Sequence, residues 1–310
     1  MTALEPACVA DAAGPYLARC RFPDPADGPV CLAVSGGPDS MALMVLARAA
    51  GLQGTVVHVD HGLREGSQGE AHVVGDEAAR LGFSFESRQV TVAPGADLEA
   101  RARRARYAAL PDGVLTGHTM DDQAETVLLN VLRGAALDGL SAMRSRPDRR
   151  RPLLWLRRYE TEDVCLRAGI TPICDPTNAD PRFRRNRVRA EALPLLCDIA
   201  GRDLVPVLAR QAALAGEDVD LLESMASDLD PRDVVALRAA PIPLARRALR
   251  RWLRSPSAGG GDDLHPPSAA ELARVMDVVE GRHTACELSG GRRVSRRAGR
   301  LTVSGGGRPR

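Results

Sequence analysis

Six consecutive residues, Ser35, Gly36, Gly37, Pro38, Asp39 and Ser40, combine the groups needed to hold a polyphosphate. The glycines let the backbone turn tightly. A helix starting after them would aim unpaired N–H groups and the positive end of its dipole at an anion. Ser35 and Ser40 add neutral donors, and Asp39 can hold a magnesium ion that bridges phosphate oxygens. The ordinary alternative is a glycine turn capped by Asp39 or Ser40, and a bare Ser-Gly-Gly would be read that way. Placement directly between an apolar run and a helical pattern favours phosphate. No Gly-Lys-Ser/Thr follows, so this is not a Walker loop.

A second cluster, GHTMDDQAET, runs from Gly117 to Thr126 and contains His118. If a helix starts near Met120, Asp122 and Glu125 share one face, where two carboxylates could bind an ammonium group or a metal. Capping competes with that explanation: Asp121 or Asp122 could satisfy the first amides, with Glu125 in the first turn. HVDHGLR places His58, His61 and Arg64 after a strand-like run. Without a matching Cys/His cluster they suit a polar rim for a nucleotide better than a metal site. In EARARRARY, Arg103 and Arg106 fall near one side of a helix beside Tyr107, a pattern that ordinary solvated faces share. Finally DPTNAD, Asp175 to Asp180, is turn chemistry leading into Arg182, Arg184, Arg185, Arg187 and Arg189. This series is expected to exceed its local acidic partners. Clustered arginines with few aromatics suit a nucleic-acid backbone better than base stacking.

These groups need a frame that brings them to one rim. VCLAV, from Val30, is a short apolar run, and MALMVLARAA after the loop has helical spacing that stops at Gly51. The alternation recurs: TVVHVD strand, Gly69 to Leu81 helix, FSFESRQVTV strand, DLEARARRARYAAL helix, GVLTGH strand and MDDQAETVLLNVLRG helix. Such alternation predicts a parallel sheet with right-handed crossovers and ligands at the carboxyl ends of its strands, where both the glycine loop and GHTMDD fall. Beyond Gly134 come the Arg/Pro-rich RSRPDRRRPLLW, a helix near Tyr159 to Ala168, and a long periodic stretch from Leu204 to Leu229. From Pro231 the pattern predicts two more helices, a SPSAGGGDD insert and a meander of short strands, HTACEL, RRVSRRA and RLTVS. The expected fold class is α/β, a Rossmann-like parallel sheet carrying the loop over residues 1–201. A connecting helix and a smaller, mainly helical α+β domain are expected over 202–310.

At 310 residues, 44% hydrophobic and 26% charged, the composition is that of a soluble globular chain of two domains. It contains no lysine, so all 42 basic residues are arginine, whose planar fork suits phosphate, and a net charge of +2 can still conceal basic patches. The 7 cysteines form no Cys-x-x-Cys pair and no leader-like segment precedes them, so they are expected to be reduced thiols in the cytoplasm.

Taken together, SGGPDS, HVDHGLR, ARRARY, GHTMDDQAETVLLNVLRG and DPTNADPRFRRNRVR occur in an order and spacing that resemble the tRNA(Ile)-lysidine synthetases, over most of the first 200 or so residues. The glycine loop resembles the PP-loop of enzymes that cleave ATP between the α- and β-phosphates. The resemblance implies ATP and Mg2+ as cofactors, and L-lysine and tRNA(Ile) with a CAU anticodon as partners, with a homodimer left open. It also implies ligation of lysine to C2 of the wobble cytosine through an adenylated tRNA. By the same resemblance Ser35, Gly36, Gly37, Pro38, Asp39 and Ser40 would hold the pyrophosphate and magnesium, and His61 and Arg64 would line the nucleotide. His118, Asp122 and Glu125 would serve lysine or the chemistry, while Arg103, Arg106, Arg185, Arg187 and Arg189 would serve the tRNA. Asp60 departs from the asparagine common at its position. Two other readings remain: a PP-loop tRNA thiolation enzyme, which would generally need paired cysteines, and a non-catalytic RNA-binding protein.

Overall fold

A computed structural model describes residues 4–60, 67–91, 98–144, 149–174, 180–258 and 267–305. The chain divides into two compact units, Met1–Gly216 and Glu217–Arg310, and the division falls inside the long periodic helix, not ahead of it.

In the first unit, strands β1 (Val30–Ala33), β2 (Gly54–Asp60), β3 (Ser84–Gln89), β4 (Val114–Thr116) and β5 (Arg149–Arg150) form one sheet in the order β3-β2-β1-β4-β5. Every pairing in it is parallel. Its helices are α1 (Pro6–Leu17), α2 (Pro38–Ala49), α3 (Ser67–Arg80), α4 (Leu98–Ala108), α5 (Met120–Leu132), α6 (Leu137–Leu140), α7 (Arg158–Arg167), α8 (Arg184–Arg187) and α9 (Leu193–Ala200). The first part of α10 (Val205–Ser227) belongs to it too. A π-helical turn, Val188–Ala192, joins α8 to α9.

Chain order runs outward from β1 to β3 and then returns to β4 on the other side of β1. The strand order therefore reverses between β1 and β4, and a crevice opens at their carboxyl ends. Helix α2 is apolar nearly all round: Met41 to Ala47 are all fully buried. It packs between α1, α7 and the sheet, which seats the loop at its N-terminus firmly. The two-residue strand β5 was not anticipated, because it lies in an arginine-rich stretch that shows no strand period.

The second unit holds α11 (Val234–Ala239), α12 (Ile242–Arg254) and α13 (Ala269–Glu280), then an antiparallel sheet of β6 (Ala285–Leu288), β7 (Arg292–Arg297) and β8 (Arg300–Ser304). The meander matches the expectation, but three helices stand where two were predicted. The extra one, α11, is six residues capped by Asp233, whose carboxylate accepts the Val235 and Ala236 amides at 2.8 and 3.2 Å. That is too short for a period to register. Ala245, Ala248, Leu249, Trp252 and Leu253 of α12 are buried within this unit's core. Among the described residues no helix is long and apolar enough to cross a membrane.

Candidate active site

Between β1 and α2 the chain makes the Ser35–Ser40 loop. Gly37 is the N-cap of α2 and Pro38 opens the helix, so neither Asp39 nor Ser40 is the cap; both lie in the first turn. Gly36 has φ +92, and a Cβ there would come within 2.4 Å of Ile173 Cδ1. The Ile173 amide in turn donates to the Gly36 carbonyl at 2.9 Å. The buried Ser40 hydroxyl accepts the Ser35 amide at 3.2 Å and donates to the Gly37 carbonyl at 2.9 Å, bracing the loop from inside. Ser35 is exposed. A Cβ on Gly117, just after β4, would sit 2.5 Å from the Asp39 carbonyl oxygen, so the loops after β1 and β4 touch through backbone that tolerates no side chain. The start of α2 borders a cavity of about 850 Å³ lined by Ser35, Asp39, Tyr107, His118, Arg158 and Arg189, among others, and the positive end of the helix dipole lies there.

The charges around this cavity form one network. Asp39 Oδ1 accepts the Thr161 hydroxyl at 2.5 Å, and its Oδ2 lies 3.6 Å from Arg158 Nε. Burial pushes the Asp39 carboxyl up to about 6, aided by the Asp122 charge and opposed by Thr161 and Arg158. Asp122 faces two ways. Its Oδ2 accepts the Thr119 amide and hydroxyl at 2.9 and 3.1 Å, closing the start of α5. Its Oδ1 accepts Arg185 Nη2 at 2.8 Å and Arg158 Nη2 at 3.2 Å. Both explanations offered for this residue, capping and charge binding, thus operate on different oxygens. Burial works against its ionisation, yet Arg185, His118, Arg158 and the Thr119 amide together hold the carboxyl below its usual range.

Glu125 is fully buried. It lies beyond the first turn of α5, so the helix dipole does not account for it. Oε1 accepts from Arg158 at 3.2 Å and from Arg189 Nε at 2.6 Å, and Oε2 accepts from Arg185 Nε at 2.7 Å and Arg189 Nη2 at 3.2 Å. Removing one member of such a buried cluster leaves an uncompensated charge, typically at a cost of about 3–5 kcal/mol.

The arginines after residue 180 are sorted by helical position. Arg185 and Arg189, four apart, turn inward onto Glu125 and Asp122. Arg187 is exposed and pairs with Glu191 at 2.8 Å, and Arg182 pairs with Asp180 at 2.6 Å. As expected, the series is not all paired locally: Arg182 and Arg187 find carboxylates within four residues, whereas Arg185 and Arg189 take theirs from α5. His118 lines the cavity, with Nδ1 2.9 Å from Thr116 Oγ1. Arg106 and Tyr107 line it as well, whereas of Arg103 only its place in α4 is described. His58 is buried, with Nδ1 2.9 Å from the Val34 carbonyl, and ties β2 to the root of the loop. His61, Arg64 and Asp175 to Ala179 lie outside the described residues.

Sequence reasoning placed a helix near Tyr159 to Ala168 but gave it no part in the site; this helix, α7, supplies Arg158 and Thr161. A signal was present: Arg157 and Arg158 stand at the start of a helix, where the dipole disfavours cations. Such a placement calls for acidic partners fixed elsewhere, and Asp121, Asp122, Glu125 and Asp39 provide them. Cys165 also borders the cavity, and burial pushes its thiol up to about 12, which disfavours the thiolate form.

A parallel sheet with a glycine loop at the point where its strand order reverses, and an aspartate beside the anion site, define a PP-loop nucleotide-binding domain. Residues 19–196 match the family model of the PP-loop domain, and residues 233–302 match that of the TilS substrate binding domain. The chain is 41% identical to a tRNA(Ile)-lysidine synthase of Salinispora tropica, over 98% of each chain. It is 44% identical to one of Mycolicibacterium paratuberculosis over 75% of this chain and 77% of that one. With one of Thermobifida fusca it shares 40% identity over 90% and 93%. The chain belongs to the tRNA(Ile)-lysidine synthase family.

Proposed function

We propose that this protein is the ligase that joins L-lysine to C2 of the wobble cytosine of tRNA(Ile) with a CAU anticodon. In the first step the cytosine O2 attacks the α-phosphorus of ATP and diphosphate leaves. In the second, the lysine ε-amine attacks C2, loses a proton, and AMP leaves with the former O2. The observation that carries this reading is that Asp39 and His118 share one cavity with Arg158 and Arg189, which reach from it to Asp122 and Glu125. An activating site and a carboxylate pair are thereby in direct electrostatic contact.

Ser35, Gly36, Gly37, Pro38 and Ser40 shape the pyrophosphate cradle. Asp39 fits a magnesium ion that arrives with ATP: one carboxylate beside a phosphate site is a donor set magnesium favours, since the ion takes its remaining ligands from phosphate and water. Among the described residues no group of three or more His, Cys, Asp or Glu side chains could hold a metal alone, which agrees with a substrate-borne ion. Bound there, the ion would neutralise charge on the departing diphosphate. Asp122 and Glu125 supply the negative potential for the lysine ammonium, and His118 or one of these carboxylates accepts its proton. His61, Arg64, Arg103 and Arg106 are assigned to the nucleotide and the tRNA, together with Arg185 and Arg189. Arg187, exposed on the outer face of its helix, is assigned to tRNA phosphate. Labelled lysine and a tRNA(Ile) transcript test the whole assignment: ATP-dependent incorporation at the wobble position, with AMP released, is expected. Incorporation of sulfur instead, or no reaction despite tight tRNA binding, would overturn it.

A further inference from the structure

Arg158 reaches both halves of the site at once. Its backbone amide donates to Asp121 Oδ2 at 2.8 Å, and its side chain, 21% exposed, spans from Asp39 to Asp122 and Glu125. The helix beneath it is pinned. Thr161 bonds both Asp39 and the Arg158 carbonyl, at 2.5 and 2.7 Å; Arg157 pairs with Asp121 and Asp203; and Tyr16 and Arg19 of the N-terminal segment hold Asp163 and Glu160. The N-terminus of α7 is therefore fixed, and movement at Arg158 must come from its side chain.

The carboxylate pair is saturated as it stands. Asp122 Oδ2 is taken by Thr119, its Oδ1 by Arg158 and Arg185, and both Glu125 oxygens by Arg158, Arg185 and Arg189. A primary ammonium entering here must displace a guanidinium. A guanidinium withdrawn from a buried carboxylate needs another anion, or it is left with an unpaired charge. For Arg158 that anion has a place: its Nε already lies 3.6 Å from Asp39 on the phosphate loop, within the same cavity. Arg185 contacts Asp122 and Glu125 and is not part of that cavity's lining, so it has no such second anion at hand.

We infer that Arg158 is a positioning residue that couples the two substrate sites: a triphosphate in the Ser35–Ser40 loop draws its guanidinium off Asp122 Oδ1 and so opens the carboxylate pair to the amine substrate. This rests on the function proposed above and adds an order to it. The amine binds well only to the nucleotide-loaded protein, and free lysine does not occupy the site ahead of ATP. The coupling is reciprocal, so bound lysine tightens nucleotide binding by the same factor.

Calorimetric titration of the full chain with L-lysine tests this, alone and with α,β-methylene-ATP and magnesium. In the wild type the analogue is expected to tighten lysine binding about tenfold, within the usual range of site–site coupling. In Arg158→Gln, lysine should bind the nucleotide-free protein more tightly than it binds the wild type, and the enhancement should fall to less than about threefold. Arg158→Lys retains a charge that cannot span three carboxylates, and it should also lose most of the coupling. A wild-type lysine affinity indifferent to the analogue overturns the inference by itself, whether or not the variants fold. Full coupling in a folded Arg158→Gln also overturns it. If such a wild type still ligates lysine to tRNA, only the coupling has failed. If it neither binds nor ligates lysine, the proposed function falls and the coupling falls with it.

Discussion

Two of the chain's three Ser-Gly-Gly tripeptides have opposite outcomes. Ser35-Gly36-Gly37 leads into α2, and Ser35 and Gly37 line a cavity beside Asp39. Ser289-Gly290-Gly291 turns between β6 and β7, with both glycines at positive φ, 73 and 69. There the amide is already spoken for: the Ser289 N–H donates to Glu271 Oε1 at 2.7 Å, while Glu271 Oε2 accepts the Ser268 amide and hydroxyl at 2.8 Å each. Both serine amides are satisfied within the protein, the first by the Ser40 hydroxyl at the edge of a cavity and the second by a carboxylate that closes the turn. The difference lies in the element that each turn enters, a helix N-terminus in one case and a strand in the other, and in whether a carboxylate of the same unit already fills the donor site.

The largest effect that would sharpen this contrast is at Asp39. Asp39→Ala should reduce diphosphate release by on the order of 10²–10³-fold, as loss of a preorganised charge-stabilising group does, with the melting temperature little changed. Undiminished release from the folded variant would put the two turns on the same footing. Next comes a pair of glycine substitutions. Gly117→Ala forces a methyl against the Asp39 carbonyl and should weaken nucleotide binding at least about tenfold. Gly291→Ala meets nothing within 4 Å, so it should cost only the positive-φ penalty, about 1–2 kcal/mol of stability, and leave nucleotide affinity alone.

A smaller effect is expected at Glu271, whose carboxyl is held down to about 2, chiefly by the Ser289 amide. A depressed pKa contributes stability that is present above the unfolded value near 4.5 and is lost as pH falls toward 2. Glu271→Gln should therefore destabilise the second unit by about 1–3 kcal/mol at pH 7, with the gap from wild type closing by pH 2–3 in thermal melts. An equal gap at both pH values would mean that the turn is held by packing. Smallest is the pair Ser35→Ala and Ser289→Ala. Loss of one neutral donor should weaken nucleotide binding several-fold, about 1 kcal/mol, in the first and leave it unchanged in the second, as equilibrium binding of a fluorescent ATP analogue would report.

Much of the first unit was legible without coordinates. The alternation of short apolar runs with helical periods dictates a parallel sheet, and the rule that ligands collect at the carboxyl ends of its strands placed the loops after β1 and β4 on one rim. The PP-loop and the shared face of Asp122 and Glu125 are local features, set by neighbours three to five residues away. They are written in the sequence because backbone geometry alone decides them.

What Asp122 and Glu125 touch was not legible. Their arginines lie between 33 and 67 positions along the chain, and nothing in RRNRVR marks Arg185 and Arg189 as inward and Arg187 as outward. Arg158 was invisible for the same reason, beyond the oddity of a cation at a helix start. A buried charge takes whichever counter-charge the fold brings within reach, because the cost of leaving it unpaired exceeds any local preference. The residue types and spacing determined that this protein would have a phosphate loop and a carboxylate pair; only the packing of α5, α7 and the helical segment after residue 183 decided that the two would be joined through shared guanidiniums.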